Sequence, residues 1–575
     1  MTVSATIQQH IRLLLADVTG LAASKIPVEH PDAETHGDYA SAVSFQLAKQ
    51  RKQQPAAVAA ALADKLNAAI SKGGTPLDRA VAAGPFVNLW LSAAYLEEQV
   101  AEALEPRPQP APSGAPTIVE YCGVNIGKPF SIGHLRSTVN GDAIANLLAA
   151  TGRKVVRMNY LGDWGTQFGK LIVGWKKWGD AAALESDPVR ELVRVYVKFH
   201  EEADRDPDLV EQGRAWFRKL ETKDPEATKL WQTFREASLR NADAILAMLE
   251  VTFDEVSGEA QYADKLDGVL QLLTKKKLLS KSKGATIVDL EAEKLPPLLL
   301  QKTDEGSLYA TRELAAAIDR YERYHFDEML YEVGIEQELH FRQVFATLRK
   351  AGLPWAGKLE HVPHNLYAVG GKKMSTRAGR VADMKEILDE AITRADKVIA
   401  AKNPDLKDRA TVARQVGIGA VKYHDLSQSR LTTIEFDFDR MLSLEGNSAP
   451  YLQYTHARVM SVLARAGLTL EQVRGLTPPA ASAAAGANAP EEQLLRRRLV
   501  RFDEAVTLAA ERRMPHVLAT ELYELATRFN AFYATQPILK ADEPARTARL
   551  RLAAAVASLL ARGLVLLGIH APAEM

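Results

Sequence analysis

The sequence predicts a multidomain chain combining α/β and all-α architecture: a central parallel α/β domain between an N-terminal α+β module and a C-terminal helical bundle. Three observations carry this. Residues 118–159 run strand, glycine-broken loop, helix, strand; residues 105–115 (EPRPQPAPSGA) are proline-rich without apolar period; beyond residue 380 the apolar residues keep helical spacing. At 575 residues the chain is long enough for about three or four domains, each with its own core.

Residues 1–104 form the first unit. Ile7, Ile11, Leu14 and Leu15 make one helical face, Val58, Leu62, Leu66 and Ile70 another, and VAAGPFVNLWLS (81–92) alternates like a strand. The polar stretch HGDYAS (36–41) reads equally as a capped loop before a helix or as an RNA contact. After the linker at 105–115, the α/β domain spans 116–380. A β-forming run at 118–121 ends at Gly123, Gly127, Pro129 and Gly133; a helix then starts at the Gly133–His134 step with Leu135, Val139, Ile144, Leu147 and Leu148 on its face, and KVVRMN (154–159) is the next strand. Ligands in such sheets sit beyond the carboxyl ends of the strands, where this loop lies. The free N–H groups and dipole at the helix start favour an anion, and Lys128 and His134 add donors. Such a loop occurs in most α/β domains, so by itself it identifies only a candidate phosphate site.

Further along, NYLGDWGTQFGKL (159–171) packs aromatic, glycine and polar residues into a loop, with Trp164 and Phe168 as candidate core. Residues 181–250 are helical, and Trp216, Phe217, Leu220, Leu230, Trp231 and Phe234 keep the spacing of a core stripe. The lysines of KKKLLSKSKGATIVDL (275–290) read as a solvated face. KTDEGSLYATRELA (302–315) is a turn into a helix, LYEVGIEQELHFRQVF (330–345) a strand into a helix. GGKKMSTRAGRV (370–381) is a cationic glycine-rich loop suited to a polyphosphate, but it lacks P-loop spacing. Helices are predicted at 383–401, 407–425, 448–466, 491–511 and 515–534, with a low-complexity surface loop at 476–490; together they make 381–575 an all-α domain.

Lys+Arg and Asp+Glu are equal at 72 each, so any nucleic-acid contact must use local patches. The single cysteine, Cys122, excludes an intrachain disulfide and a multi-cysteine zinc site, so no zinc is expected. The N-terminus lacks a basic start with a long apolar core, and 552–569 is broken by Arg562 and Gly563. The expectation is a cytoplasmic protein with no membrane partner.

Several of these stretches together resemble the arginyl-tRNA synthetases, a class I family: GHLRST with the preceding NIGKPFSI, NYLGDWGTQFGKL, LYATRELA, VGIEQELHFRQVF, KKMSTR, FDFDRMLSLEGNSAPYLQYTHAR (436–458) and LVLLGIHAPAEM. In order and spacing they cover nearly the whole chain. The resemblance implies a class I Rossmann-type catalytic domain, an N-terminal α+β domain contacting the tRNA and a C-terminal helical anticodon-binding domain. It implies ATP-dependent ligation of L-arginine to tRNA(Arg) through arginyl-adenylate, with Mg²⁺ accompanying ATP, in a monomer.

Carried over by position, Ser131, Gly133 and His134 belong to the HIGH signature that holds adenosine and phosphates. Lys373, Met374 and Ser375 belong to the loop over the pyrophosphate. Thr376 replaces the second lysine of the KMSK motif, and Lys128 stands where the family substitutes for it. Lys128, His134, Lys373 and Ser375 are the catalytic candidates. Glu120, Asn125, Tyr309, Glu313 and Gln337 match the arginine pocket, where carboxylates suit a guanidinium fork. Three departures stand out. Ser131 replaces the first histidine of HIGH, which implies a shortened or missing phosphate or ribose contact; Glu313 replaces the usual aspartate; and CGVN (122–125) replaces SSPN. The competing expectation from Ser131 and Glu313 is a weakened synthetase-like protein that binds RNA or arginine as a regulator.

Overall fold

The computed structural model describes residues 3–282, 284–301, 309–369, 372–373, 383–478 and 489–575. The chain divides into two compact units, one of 1–109, 395–423 and 440–575, the other of 110–394 and 424–439.

The first unit opens with helix α1 (Val3–Thr19), strand β1 (Tyr39–Ser41), helices α2 (Val43–Arg51) and α3 (Pro55–Ile70), strands β2 (Leu77–Ala83) and β3 (Phe86–Leu91) and helix α4 (Ala93–Leu104). The strands form an antiparallel sheet in the order β1-β3-β2. Its core takes Ile7, Ile11 and Leu15 from α1 and Val58, Leu62 and Leu66 from α3, the two faces that helical spacing predicts. The stretch 81–92 is two strands, not one. Gly84 adopts a left-handed φ of 57° and Pro85 lacks an N–H, so the pair turns the chain and Ala83 faces Phe86. HGDYAS resolves into a turn and the short strand β1, because buried Asp38 accepts the Leu91 N–H at 2.7 Å and draws the segment onto β3.

The rest of this unit is helical, with Ala449–Arg465, Pro490–Leu499, Arg501–Arg512, Pro515–Thr535 and Ala545–Leu566 as its main helices. Leu518, Leu522, Leu525, Phe529 and Phe532 of Pro515–Thr535 are buried. The N-terminal module packs on these helices: Val500 joins its core, and Glu504 accepts from the Tyr39 hydroxyl at 2.7 Å and meets His30 Nε2 at 2.5 Å. The cluster at 496–498 is tied internally, Arg496 to Glu97 and Glu492, Arg497 to Asp38 and Arg498 to Glu521.

The second unit is built on a five-stranded parallel sheet. Its strands are β4 (Ser113–Glu120), β5 (Arg153–Leu161), β6 (Glu255–Gly258), then, after a small antiparallel sheet of β7 (Leu279–Ser282), β8 (Ala285–Val288) and β9 (Leu298–Gln301), β10 (Glu328–Gly334) and β11 (Leu359–His364). The order is β11-β10-β4-β5-β6, so the chain moves one way from β4 and later returns to its other side. Strands β4 and β10 therefore flank the switch point at which open α/β sheets place ligands. Helix α5 (Ile132–Ala150) joins β4 to β5, and α6 (Thr166–Trp178) follows β5. Between β5 and β6 lies a helical excursion whose core holds Leu220 and Phe234, with Trp216, Phe217, Leu230 and Trp231 half-buried against it. A third small sheet, β12 (Tyr367–Val369), β13 (Lys372–Lys373) and β14 (Ile434–Glu435), closes the unit. Among the described residues no helix is long and apolar enough to cross a membrane.

Candidate active site

A cleft of about 510 Å³ opens at the carboxyl ends of the parallel strands. Glu120 ends β4, Tyr160 lies at the end of β5 with Gly162 just beyond it, Glu259 follows β6, and Val333 lies near the end of β10. Asn125, Lys128, Trp164, Tyr309, Arg312 and Gln337 also line it. Parallel strands point their carboxyl ends the same way, which is why residues so distant in sequence meet here.

The loop after β4 is held by backbone hydrogen bonds: Ile126 N–H donates to Gly162 O at 3.1 Å and Gly162 N–H to Val124 O at 3.0 Å. Any Cβ at Gly162 would sit 2.4 Å from Asn125 Oδ1, so glycine is required for Asn125 to lie over it. The loop ends at Ser131, the N-cap of α5. His134 Nδ1 accepts the Ser131 backbone N–H at 3.0 Å and lies 3.1 Å from Ser131 Oγ. Burial, then the charges of Lys128 and His364, push the His134 pKa down to about 4. The imidazole is therefore neutral. Because its Nδ1 accepts from an amide, the ring proton is on Nε2, which makes that nitrogen a donor at the helix start.

The carboxylates dominate the other side. Glu120 Oε2 lies 2.5 Å from Arg320 Nη1, both buried, with the guanidinium 4.7 Å from the Tyr160 ring centre. Burial raises the Glu120 pKa against the opposing pull of Arg320. Glu313 sits one helical turn after Tyr309 on helix α7 (Tyr309–Tyr324), 1% exposed, and its carboxyl group meets the Tyr309 side chain. Burial and then the Glu120 charge push it up to about 8. Glu259, positioned where Asp163 accepts the Ala260 N–H at 2.9 Å, is likewise pushed by burial up to about 8, with Arg312 opposing. Burial thus favours the neutral form of both carboxyl groups despite Arg312 and Arg320 nearby, and a further guanidinium beside them would favour their ionised form.

Of the sequence candidates, Glu120, Asn125, Lys128, Tyr309 and Gln337 line this cleft, and Glu313 stands behind Tyr309. Ser131, Gly133 and His134 form the start of α5. The backbone of Lys373 lies in β13; its side chain, Met374 and Ser375 lie outside the described residues, as do 302–308 and 479–488. Sequence reasoning passed over Arg320 and Glu259. Arg320 recurs seven residues after Glu313 on the same helical face, a spacing that was legible. Glu259 carried no signal beyond its place after the short strand β6. Gln343 points elsewhere, donating to Pro296 O at 2.9 Å, while the His340 ring lies 4.8 Å from that of Tyr309.

A second cleft of about 560 Å³ lies in the helical unit. Arg458 stacks over Tyr454 and Tyr533, at 4.8 and 5.4 Å, and donates to Asn530 Oδ1 at 2.6 Å; Asn403 Nδ2 donates to the Met575 carbonyl at 3.3 Å.

Three family models match the chain: an arginyl-tRNA synthetase N-terminal domain over 5–91, the class I (R) tRNA synthetase catalytic domain over 106–438 and the DALR anticodon-binding domain over 452–575. An arginine–tRNA ligase of Enterococcus faecalis is 44% identical over 553 residues, covering 95% of each chain. One from Exiguobacterium sibiricum is 41% identical over 577 residues, covering 99% of this chain and all of that protein. The structure of Thermus thermophilus arginyl-tRNA synthetase superposes with a TM-score of 0.84 at 28% identity, over the whole of both chains. By its three matched domains, its near-complete overlap with these ligases and its sheet topology, this chain belongs to the class I arginyl-tRNA synthetases.

Proposed function

We propose that this protein joins L-arginine to tRNA(Arg) at the expense of ATP, in two steps. An arginine carboxylate oxygen attacks the α-phosphorus of ATP, the bond to the β-phosphate oxygen breaks, and pyrophosphate leaves. A hydroxyl of the tRNA 3′-terminal adenosine then attacks the arginyl carbonyl, and AMP leaves with the bonding electrons. Neither step needs strong acid–base chemistry; orientation and stabilisation of charge on phosphate oxygens carry the rate.

The observation that supports arginine most is a cleft of amino-acid size lined by Glu120 and Glu259, with Glu313 buried one helical turn behind Tyr309 and both Glu259 and Glu313 pushed up to about 8 by burial. A guanidinium entering there gains bidentate partners and restores their charge. Tyr309, Asn125 and Gln337 add neutral donors and acceptors that orient the amino acid. A site of buried polar groups rejects apolar amino acids by about 10⁴–10⁵, so no editing domain is required.

On the phosphate side, His134 donates from Nε2, Gly133 leaves the helix start open, Ser131 orients the imidazole, and Lys128 brings charge to phosphate. Lys373, Met374 and Ser375 are assigned to the pyrophosphate by the family motif. Magnesium arrives with ATP, carried on the triphosphate. Among the described residues no three His, Cys, Asp or Glu side chains gather as a metal centre.

Residues 1–104 are assigned to tRNA contact and 381–575 chiefly to the anticodon, where the Arg458–Tyr454–Tyr533 cleft offers a cation and two ring faces to unstacked bases. The protein acts in the cytoplasm as a monomer. No observation favours the silent regulator. The deciding experiment is aminoacylation with purified protein, ATP, Mg²⁺ and tRNA(Arg), arginine set against the other amino acids; failure to form arginyl-tRNA overturns the proposal.

A further inference from the structure

Arg136 stands on α5 two residues after His134, and its side chain has no solvent access. Its guanidinium reaches segments about 230 to 294 residues away in sequence. Nη1 donates to Leu366 O at 3.1 Å; Nη2 donates to Arg430 O at 3.1 Å and to Ser429 O at 3.3 Å. Nε lies 3.6 Å from Oδ1 of Asp425, itself fully buried, and that oxygen also accepts from Asn140 Nδ2 at 2.8 Å. The guanidinium carbon is 5.7 Å from the centre of the Tyr367 ring.

The positions of these acceptors matter. Leu366 is the residue before β12, and Ser429–Arg430 precede β14, the strand paired parallel with β12. Asn365 N–H donates to Arg430 O at 2.8 Å, and Ile434 N–H to Leu366 O at 3.1 Å, so the acceptors belong to one hydrogen-bonded assembly. On its other edge β12 pairs with β13, where Ala368 faces Lys373. One buried cation therefore binds the base of the small sheet to the helix that carries His134 in its first turn.

A buried ion pair adds little net stability over packed apolar groups of the same size. What a guanidinium adds is direction, since its planar fork fixes several acceptors at once in a way an ammonium does not. We infer that Arg136, held by Asp425 and Asn140, is a positioning residue for the ATP reaction: it sets the strand that carries Lys373 at a fixed place relative to His134. The inference rests on the assignment of those two residues to ATP under the proposed function.

The test uses full-length Arg136→Lys and Asn140→Ala with ATP, arginine and tRNA, measuring ATP–pyrophosphate exchange and melting temperature. Exchange kcat is expected to fall about ten- to hundredfold in Arg136→Lys and about three- to tenfold in Asn140→Ala. The KM for arginine should stay within about twofold, because the arginine cleft is built from other residues. Unchanged kcat in both folded variants, or an arginine KM that rises in step with the loss of kcat, overturns the inference; if Arg136→Lys does not fold, Asn140→Ala decides alone. His134→Ala separates the two levels of argument. If it leaves exchange intact, the ATP assignment falls and this inference with it; if it cripples exchange while Arg136→Lys and Asn140→Ala do not, only the positioning role falls.

Discussion

His134 and Ser131 are locked to each other: the imidazole Nδ1 accepts the Ser131 backbone N–H at 3.0 Å and lies 3.1 Å from the serine hydroxyl oxygen. The serine that departs from the HIGH signature thus orients the histidine that remains. Any residue but proline at 131 supplies the N–H, and the serine hydroxyl lies beside the same nitrogen.

The two residues should separate in mutation. His134→Ala removes a donor aimed at phosphate and is expected to lower the activation rate about 100-fold. Ser131→Ala keeps the N–H and should lower it only a few-fold. His134→Ala should also cost far less in melting temperature than in activity. Rapid-quench measurement of adenylate formation beside thermal melts checks this, and equal losses of stability and rate would refute it.

Arginine binding should release protons. Glu259 and Glu313 titrate near 8 in the folded protein against an ordinary value of 4.5, so the folded state holds more protons than the unfolded state between those limits. Their contribution to stability is present at low pH and is lost as pH rises through about 8. A guanidinium reverses the preference, so arginine affinity should tighten from about pH 6 to pH 8.5, by at most about tenfold per proton per unit. Calorimetry in buffers of different ionisation enthalpy reads the released protons; Glu259→Gln should remove part of them. A pH-independent affinity with no proton release would contradict this account.

Arg320→Met leaves Glu120 buried without its cation and should cost about 3–5 kcal/mol in urea unfolding. The double variant with Glu120→Gln should recover much of that loss, because the uncompensated charge goes with it. A simple sum of the two single losses would show that the pair is not coupled.

Gly141→Ala tests how closely α5 lies on β4. A Cβ there would stand 2.2 Å from Tyr121 Cβ and Cγ. Helix propensity alone favours alanine by about 0.5–1 kcal/mol, yet the clash should win and destabilise by about 1–3 kcal/mol. Differential scanning calorimetry decides the sign.

Arg458→Ala and Tyr533→Ala should weaken tRNA binding while leaving arginine affinity unchanged, and Arg458→Ala should reduce the salt slope by about one if the guanidinium meets phosphate. Filter binding at several salt concentrations measures both; unaltered binding would remove this cleft from the RNA surface.

Much of this was legible in the chain itself. The strand at 118–121 lengthens to Ser113–Glu120, the helix begins at Ile132 rather than at the Gly133–His134 step, and the core faces of α1 and α3 stand as spaced. Boundaries moved where a specific group intervened. The Gly84–Pro85 turn split an alternating run into a hairpin, since alternation does not report where φ turns positive, and buried Asp38 made a strand of a polar segment. Arg496, Arg497 and Arg498 are adjacent in the chain, but their partners differ: Glu97 and Asp38 lie far off in sequence and Glu521 lies nearby, and the fold decides which each one meets.

By itself the sequence determined the parallel α/β class of the central domain, the predominantly helical carboxyl third and the family motifs, because period and motif spacing are local properties that survive in one dimension. The tertiary structure decided what those residues can do. It set Glu120 against Arg320, buried Glu313 near Glu120, put the His134 proton on Nε2 and drew Arg136 to Asp425. Those outcomes depend on burial and on pairs separated by up to hundreds of residues, and electrostatic energies follow distance and desolvation in space, which spacing along the chain does not encode.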